Sequence, residues 1–98
     1  YNSASLPPEG AAAAIIGIIG SEISAQTLVS VAQIYGPLKT RDVTRARNAV
    51  YARALDAGLS SEQVARVMKR EASTVRWCAK RARENAAKFE RYAELLAA

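Results

Sequence analysis

The amino-acid sequence predicts a small all-α domain of about five helices, built on a helix-turn-helix and ending in an extended C-terminal helix. Three observations carry that expectation. Apolar residues recur at steps of three and four through most of the chain. No segment alternates apolar and polar residues as a half-buried strand does, and no internal repeat is present. The stretch LSSEQVARVMKREASTVRWCAK, Leu59 to Lys80, has the spacing of two short helices joined by a tight turn.

Taken in order, Pro7, Pro8 and Gly10 mark the N-terminus as irregular. Ala11–Ile19 reads as a short apolar helix weakened by Gly17. Ser21 then caps a better helix, Glu22–Tyr35, with Ile23, Leu28, Val31, Ala32 and Tyr35 near one face. Gly36-Pro37 stops it. On this reading residues 1–20 are a leader with a short helix, and 21–98 form the domain proper. Ala11–Ile19 is too short to span a bilayer, which needs roughly 20 residues, and no basic stretch precedes it as in a signal peptide. The chain opens on Tyr1, which reads as a piece of a longer protein with LPPEG a former linker or leader.

The connector LKTRDVT leads to a third helix, roughly Asp42–Ala57. Ala46, Ala49, Val50, Tyr51 and Ala54 form its inner stripe, leaving Arg41, Arg45, Arg47 and Arg53 outside. Gly58 suits a left-handed C-cap, followed by the apolar Leu59. Ser60 and Gln63 make a capping box that opens a fourth helix, Ser61–Met68. Ala65 is the small side chain that two closely crossing helices need. The fifth helix starts near Ser73, with Ser73 or Thr74 capping it. Cys78, Ala82, Ala86, Phe89, Ala93 and Leu96 continue its apolar stripe, which predicts a rod about 36 Å long reaching the C-terminus.

The 98 residues suffice for one modest core, since half are apolar. The single cysteine, Cys78, excludes an internal disulfide and fits a reducing compartment. Without histidine, no metal site or other cofactor is expected. The net charge of +5 is uneven. Residues 1–40 carry Glu9, Glu22 and Lys39, whereas residues 41–98 carry thirteen basic and seven acidic side chains. Basic charge gathered on one part of a small domain is the footprint of a polyanionic partner. Coincidence with a helix-turn-helix points to double-stranded DNA rather than to charge for solubility alone.

A recognition helix enters the major groove with its N-terminal residues towards base edges. Lys69, Arg70, Glu71, Ser73, Thr74, Arg76, Trp77 and Lys80 are therefore the candidate contacts here. Arg70 has the fork for a guanine, Glu71 an acceptor for a cytosine amino group, and Ser73 or Thr74 serves either strand. Glu71 reads equally well as a helix N-terminal charge favoured by the dipole, and Ser73 as a cap. Trp77 reads as partly packed under the motif, with a position at the DNA as the alternative. Arg76, Lys80 and Arg83 share a face, with Arg81 to the flank. Arg41, Arg45 and Arg47 open the third helix, where cations oppose the dipole; an arm reaching a narrow minor groove explains them better.

From about Thr27 the chain resembles the C-terminal double-stranded-DNA-binding domain of the DnaA replication initiators. That family shows a helix, a basic loop ending in an Arg-Pro-Arg-like element, a long helix, a short helix and a signature resembling GRDHTTVLHACRKI. The corresponding stretches here are RDVTRARNAVYARAL and KREASTVRWCAKRA. The resemblance implies a minor-groove role for Arg45, in Arg45-Ala46-Arg47, and major-groove or phosphate roles for Arg70, Glu71, Ser73 and Thr74. Glu71-Ala72 replaces the family's Asp-His pair, and the connector before Arg45 is several residues shorter.

The expected function is thus sequence-specific DNA binding, in a transcription regulator or replication-initiator-like protein of phage-related type, in the cytoplasm with the nucleoid. Two alternatives use the same residues differently. A small-terminase-like packaging protein would assemble through the C-terminal helix. A protein-interaction module would dock, or pair with a second copy, through that helix or Ile15–Ile19. Catalysis is not expected: the chain has no histidine, no nucleophile with a suitable base and no GxxxxGK.

Overall fold

The computed structural model describes residues 9–97, and six helices follow one another along them. These are α1 (Glu9–Gln26), α2 (Val31–Tyr35), α3 (Arg41–Asp56), α4 (Ser61–Met68), α5 (Ala72–Lys88) and α6 (Glu90–Leu96). The irregular segment expected around Pro7 and Pro8 lies outside the described residues. No described residue is in a strand, and no described helix is long and apolar enough to cross a membrane. The chain is a small all-α domain with a helix-turn-helix at α4–α5.

The central helix is α3. Val43, Ala46, Ala49, Val50, Tyr51 and Ala54 are all buried, which is the predicted inner stripe with Val43 added. It packs against all five other helices, most extensively against α5 and α1. Its start is fixed by Thr40, whose Oγ1 accepts from the Val43 amide at 3.4 Å. Its end is fixed by Gly58 at φ 101°, with the Leu59 amide bonded to Ala54 O and the Gly58 amide to Leu55 O. That double closure is the Schellman pattern, and a side chain at position 58 would be strained by the positive φ.

The N-terminal third differs from expectation. One continuous helix, α1, runs through Gly17 and Gly20, and the boundary expected between residues 20 and 21 falls inside it. Ser21 is therefore not a cap. Ala12, Ile16, Ile19 and Ile23 recur at steps of four, three and four and enter one core with α3. Two helix-weakening glycines are tolerated because that buried stripe contributes more than they cost, about 1 kcal/mol each.

The chain then breaks where helix was expected. Thr27 Oγ1 donates back to Ile23 O and accepts from the Val29 amide, which ends α1. Ser30 and Gln33 form a second capping box, with bonds of 3.1 and 2.9 Å, and start α2. The inner residues shift accordingly. Val29 and Ile34 are buried, while Leu28 and Ala32 are exposed. Gly36 ends α2 in an extended conformation, and a Cβ there would stand 3.0 Å from Ala32 O.

The C-terminal rod is also interrupted. Phe89 is extended (φ −131°, ψ 122°) and separates α5 from α6. No proline or glycine forces that break. It turns α6 back on the bundle, where Leu95 is buried and Tyr92 meets Arg45. A straight continuation would carry those apolar groups away from the core, so burial overrides local propensity.

Candidate nucleic-acid interface

The turn between α4 and α5 is three residues long. The Ser60–Gln63 capping box is present, with bonds of 3.1 and 3.0 Å. Val64, Ala65 and Met68 are buried beneath α4, and Val75 and Ala79 beneath α5. Lys69 takes the left-handed conformation at φ 57°, and the Arg70 amide closes onto Ala65 O at 2.8 Å. Helix α5 then begins at Ala72 with Glu71 as an N-cap that makes no side-chain bond. Ser73 and Thr74, expected as caps, lie inside the first turn with exposed side chains.

Two arginines assigned to DNA in the sequence point inward instead. Arg47 is 6 % exposed. Its Nε donates to Ile34 O at 2.7 Å, and its Nη2 to the carbonyls of Gln33, Gly36 and Leu38 at 2.8–2.9 Å. It gathers the orphan carbonyls at the end of α2. Burial lowers its pKa first, and the neighbouring Arg70 charge lowers it further. Arg70 bonds Gly36 O at 2.8 Å and Met68 O at 3.0 Å, so its fork holds the turn rather than facing out. Arg53, placed outside from sequence, is 8 % exposed and pairs with Glu22 of α1.

Arg45 is partly covered. Its guanidinium lies 4.4 Å from the centre of the Tyr92 ring and bonds Asp42 Oδ1 at 3.4 Å. Arg41 is exposed and, like Lys39 before it, bonds no described residue. These two, rather than Arg45 and Arg47, are the free cations at the start of α3.

Helix α5 has two chemically distinct flanks. On one, Arg76 reaches Ser61 Oγ (2.9 Å) and Glu62 (3.5 Å) of α4, and Arg83 reaches Asp56 of α3 at 2.9 Å. The predicted face of Arg76, Lys80 and Arg83 is therefore divided, because its outer members are ion-paired. The Glu62 carboxylate is held below its ordinary range by its own backbone amide first, then by the Ser61 hydroxyl. Outermost stand Ser73, Trp77 and Lys80, of which Lys80 has no partner among the described residues. Trp77 is 59 % exposed, so the expected partial packing is corrected; it lies at the surface with Arg81 5.0 Å from its ring centre.

The other flank of α5 faces α3 and α6 across an open cleft of about 500 Å³. Lys39, Arg41, Arg45 and Arg81 line it with the rings of Trp77 and Tyr92, and no carboxylate does. Sequence reasoning missed this arrangement. Arg81 lies on the flank of the predicted basic face, and a straight rod would carry Tyr92 away from Trp77. The only available signal was the spacing of Trp77 and Arg81, one helical turn apart.

Cys78 is half-buried, and burial pushes its thiol up, away from reactivity. Of the proposed docking stretch, Ile16 and Ile19 are buried and Ile18 alone is strongly exposed. Comparison with protein-family models, curated proteins and solved structures finds no match to this chain.

Proposed function

We propose that this chain binds double-stranded DNA through α5, as the DNA-binding module of a transcription regulator or replication-initiator-like protein acting at the nucleoid. One observation carries the reading. Among the described residues, Lys69 before α5, Lys80 in its exposed middle, and Lys39, Arg41 and Arg81 at the adjoining cleft have no carboxylate partner. Arg53, Arg76 and Arg83 are paired with carboxylates, so the uncompensated cations around α5 are charge that a polyanionic partner would neutralise.

In this reading Ser73, Thr74 and Trp77 face the base edges, and Lys69 and Lys80 face phosphates. Lys39 and Arg41 take the flanking minor groove in place of Arg45 and Arg47. Likeness to the DnaA DNA-binding domain supports the placement of α5. With Arg70 turned inward, base selection passes to residues one turn further along. The packaging alternative would assemble through the tail of residues 89–96, where Leu95 is buried against the bundle and Phe89 stays exposed. The mass of the assembly in solution separates the two readings.

The test is selection from random duplexes read by sequencing, followed by a salt titration on the selected site. With about five phosphates engaged, the log–log slope is expected near −4 to −5. A flat salt dependence, or selection without a consensus, sinks the proposal.

A further inference from the structure

We infer that the cleft between α3, α5 and α6 is a binding site for a single nucleotide, with a phosphate at its basic rim and a base against its aromatic wall. The inference does not depend on duplex recognition by α5. Its volume of about 500 Å³ lies within the range of small-molecule sites. Three kinds of group that a nucleotide requires are present together.

The first is charge. Lys39 and Arg41 bond no described residue, Arg81 lies against an aromatic ring, and the lining holds no carboxylate. Such a wall favours an anion. The second is aromatic surface. Trp77 is exposed, and Tyr92 is held in place by its edge contact with Phe89, ring centres 5.4 Å apart. A guanidinium already stacks on each ring, so a base entering the cleft extends an existing stack. The third is edge recognition. Asn48 of α3 and Asn85 of α5 line the cleft, and neither side-chain amide bonds another described residue. Each offers the paired donor and acceptor that reads a base edge.

Inorganic anions lack the ring and apolar ligands lack the charge, so neither uses all three. A free mononucleotide and an unpaired nucleotide of a strand share the required chemistry, and the experiment separates them.

Trp77 is the sole tryptophan, so its emission reports on the cleft directly. The full chain is titrated with AMP, adenosine, inorganic phosphate and the trinucleotide (dA)3, by emission and by calorimetry. Saturable AMP binding is expected, with adenosine and phosphate each at least tenfold weaker. Asn48→Asp places a carboxylate in the cleft with almost no change in shape, and is expected to weaken AMP at least tenfold. Arg83→Gln, outside the cleft and paired with Asp56, leaves AMP binding unchanged. A trinucleotide tenfold tighter than AMP assigns the site to a strand; equal affinity assigns it to the free nucleotide. No saturable AMP binding, phosphate alone binding as well as AMP, or an Asn48→Asp chain that still binds AMP normally, overturns the inference. Any of these with salt-dependent duplex binding intact sinks the cleft alone. AMP saturation without duplex binding sinks the DNA reading alone.

Discussion

Arg47 and Arg70 donate to one and the same oxygen: each places Nη2 at 2.8 Å from the carbonyl of Gly36. Gly36 ends α2, Arg47 belongs to α3, and Arg70 follows α4, so one acceptor ties three elements together. Two like charges are tolerated there because backbone carbonyls surround them. Charge-assisted bonds of this kind are about twice as strong as neutral ones. These side chains are spent on the fold, whatever the chain binds.

Replacing Arg47 is therefore expected to unfold rather than merely discharge the protein. Arg47→Met strands up to four carbonyls and should cost about 3–5 kcal/mol. Arg47→Lys keeps the charge but loses the fork, at about 2 kcal/mol or more. Denaturant midpoints measure both, and an Arg47→Lys chain as stable as the parent contradicts the geometry.

Arg70→Ala should lower stability by about 1.5–3 kcal/mol. Its base preference in random-duplex selection, at a temperature where the variant is folded, should match the parent. A relaxed consensus in a fully folded variant returns Arg70 to the DNA.

Lys69 holds a left-handed conformation that costs a side-chain-bearing residue about 1–2 kcal/mol. Lys69→Gly removes that strain and should gain about 1 kcal/mol, or roughly 4–8 °C in Tm at this chain length. Lys69→Ala keeps the strain and should gain nothing. Equal melting of the two variants argues against the strained turn.

Alkaline pH should destabilise the fold through Tyr51. Burial raises its pKa above the ordinary 10.0, opposed in part by the charges of Arg70 and Arg47. A folded pKa raised above the unfolded one means stability is complete below the unfolded value. It is lost as pH climbs through the window up to the raised value. Denaturant midpoints should fall above about pH 10 in the parent, and less steeply in Tyr51→Phe. Parallel profiles count against Tyr51 as the cause.

If α5 meets DNA, Lys80→Gln should weaken duplex binding on all sequences and reduce the salt slope by about 1. Arg83→Gln, on the flank paired with Asp56, should change neither. Equal effects from the two leave the proposed face without support.

The sequence by itself determined the all-α class, the inner stripe of α3, the Gly58 closure and the opening of α4. Each rests on neighbours within four or five positions, where one helical period or one cap dictates the outcome. A second capping box, Ser30 to Gln33, was equally legible from the same Ser-x-x-Gln spacing and marks the break before α2. Only the tertiary structure decided which cations face inward. Arginine is usually exposed, and nothing local tells Arg47 or Arg70 that carbonyls 9 to 34 positions away in sequence await its donors. The bend at Phe89 has the same origin: helical periodicity runs straight through it, and only packing of α6 against α3 and α5 makes folding back favourable. The cleft follows from that bend, because it brings Tyr92 opposite Trp77. Periodicity fixes which side of a helix is apolar, but long-range packing fixes where the helix ends and what its polar side must satisfy.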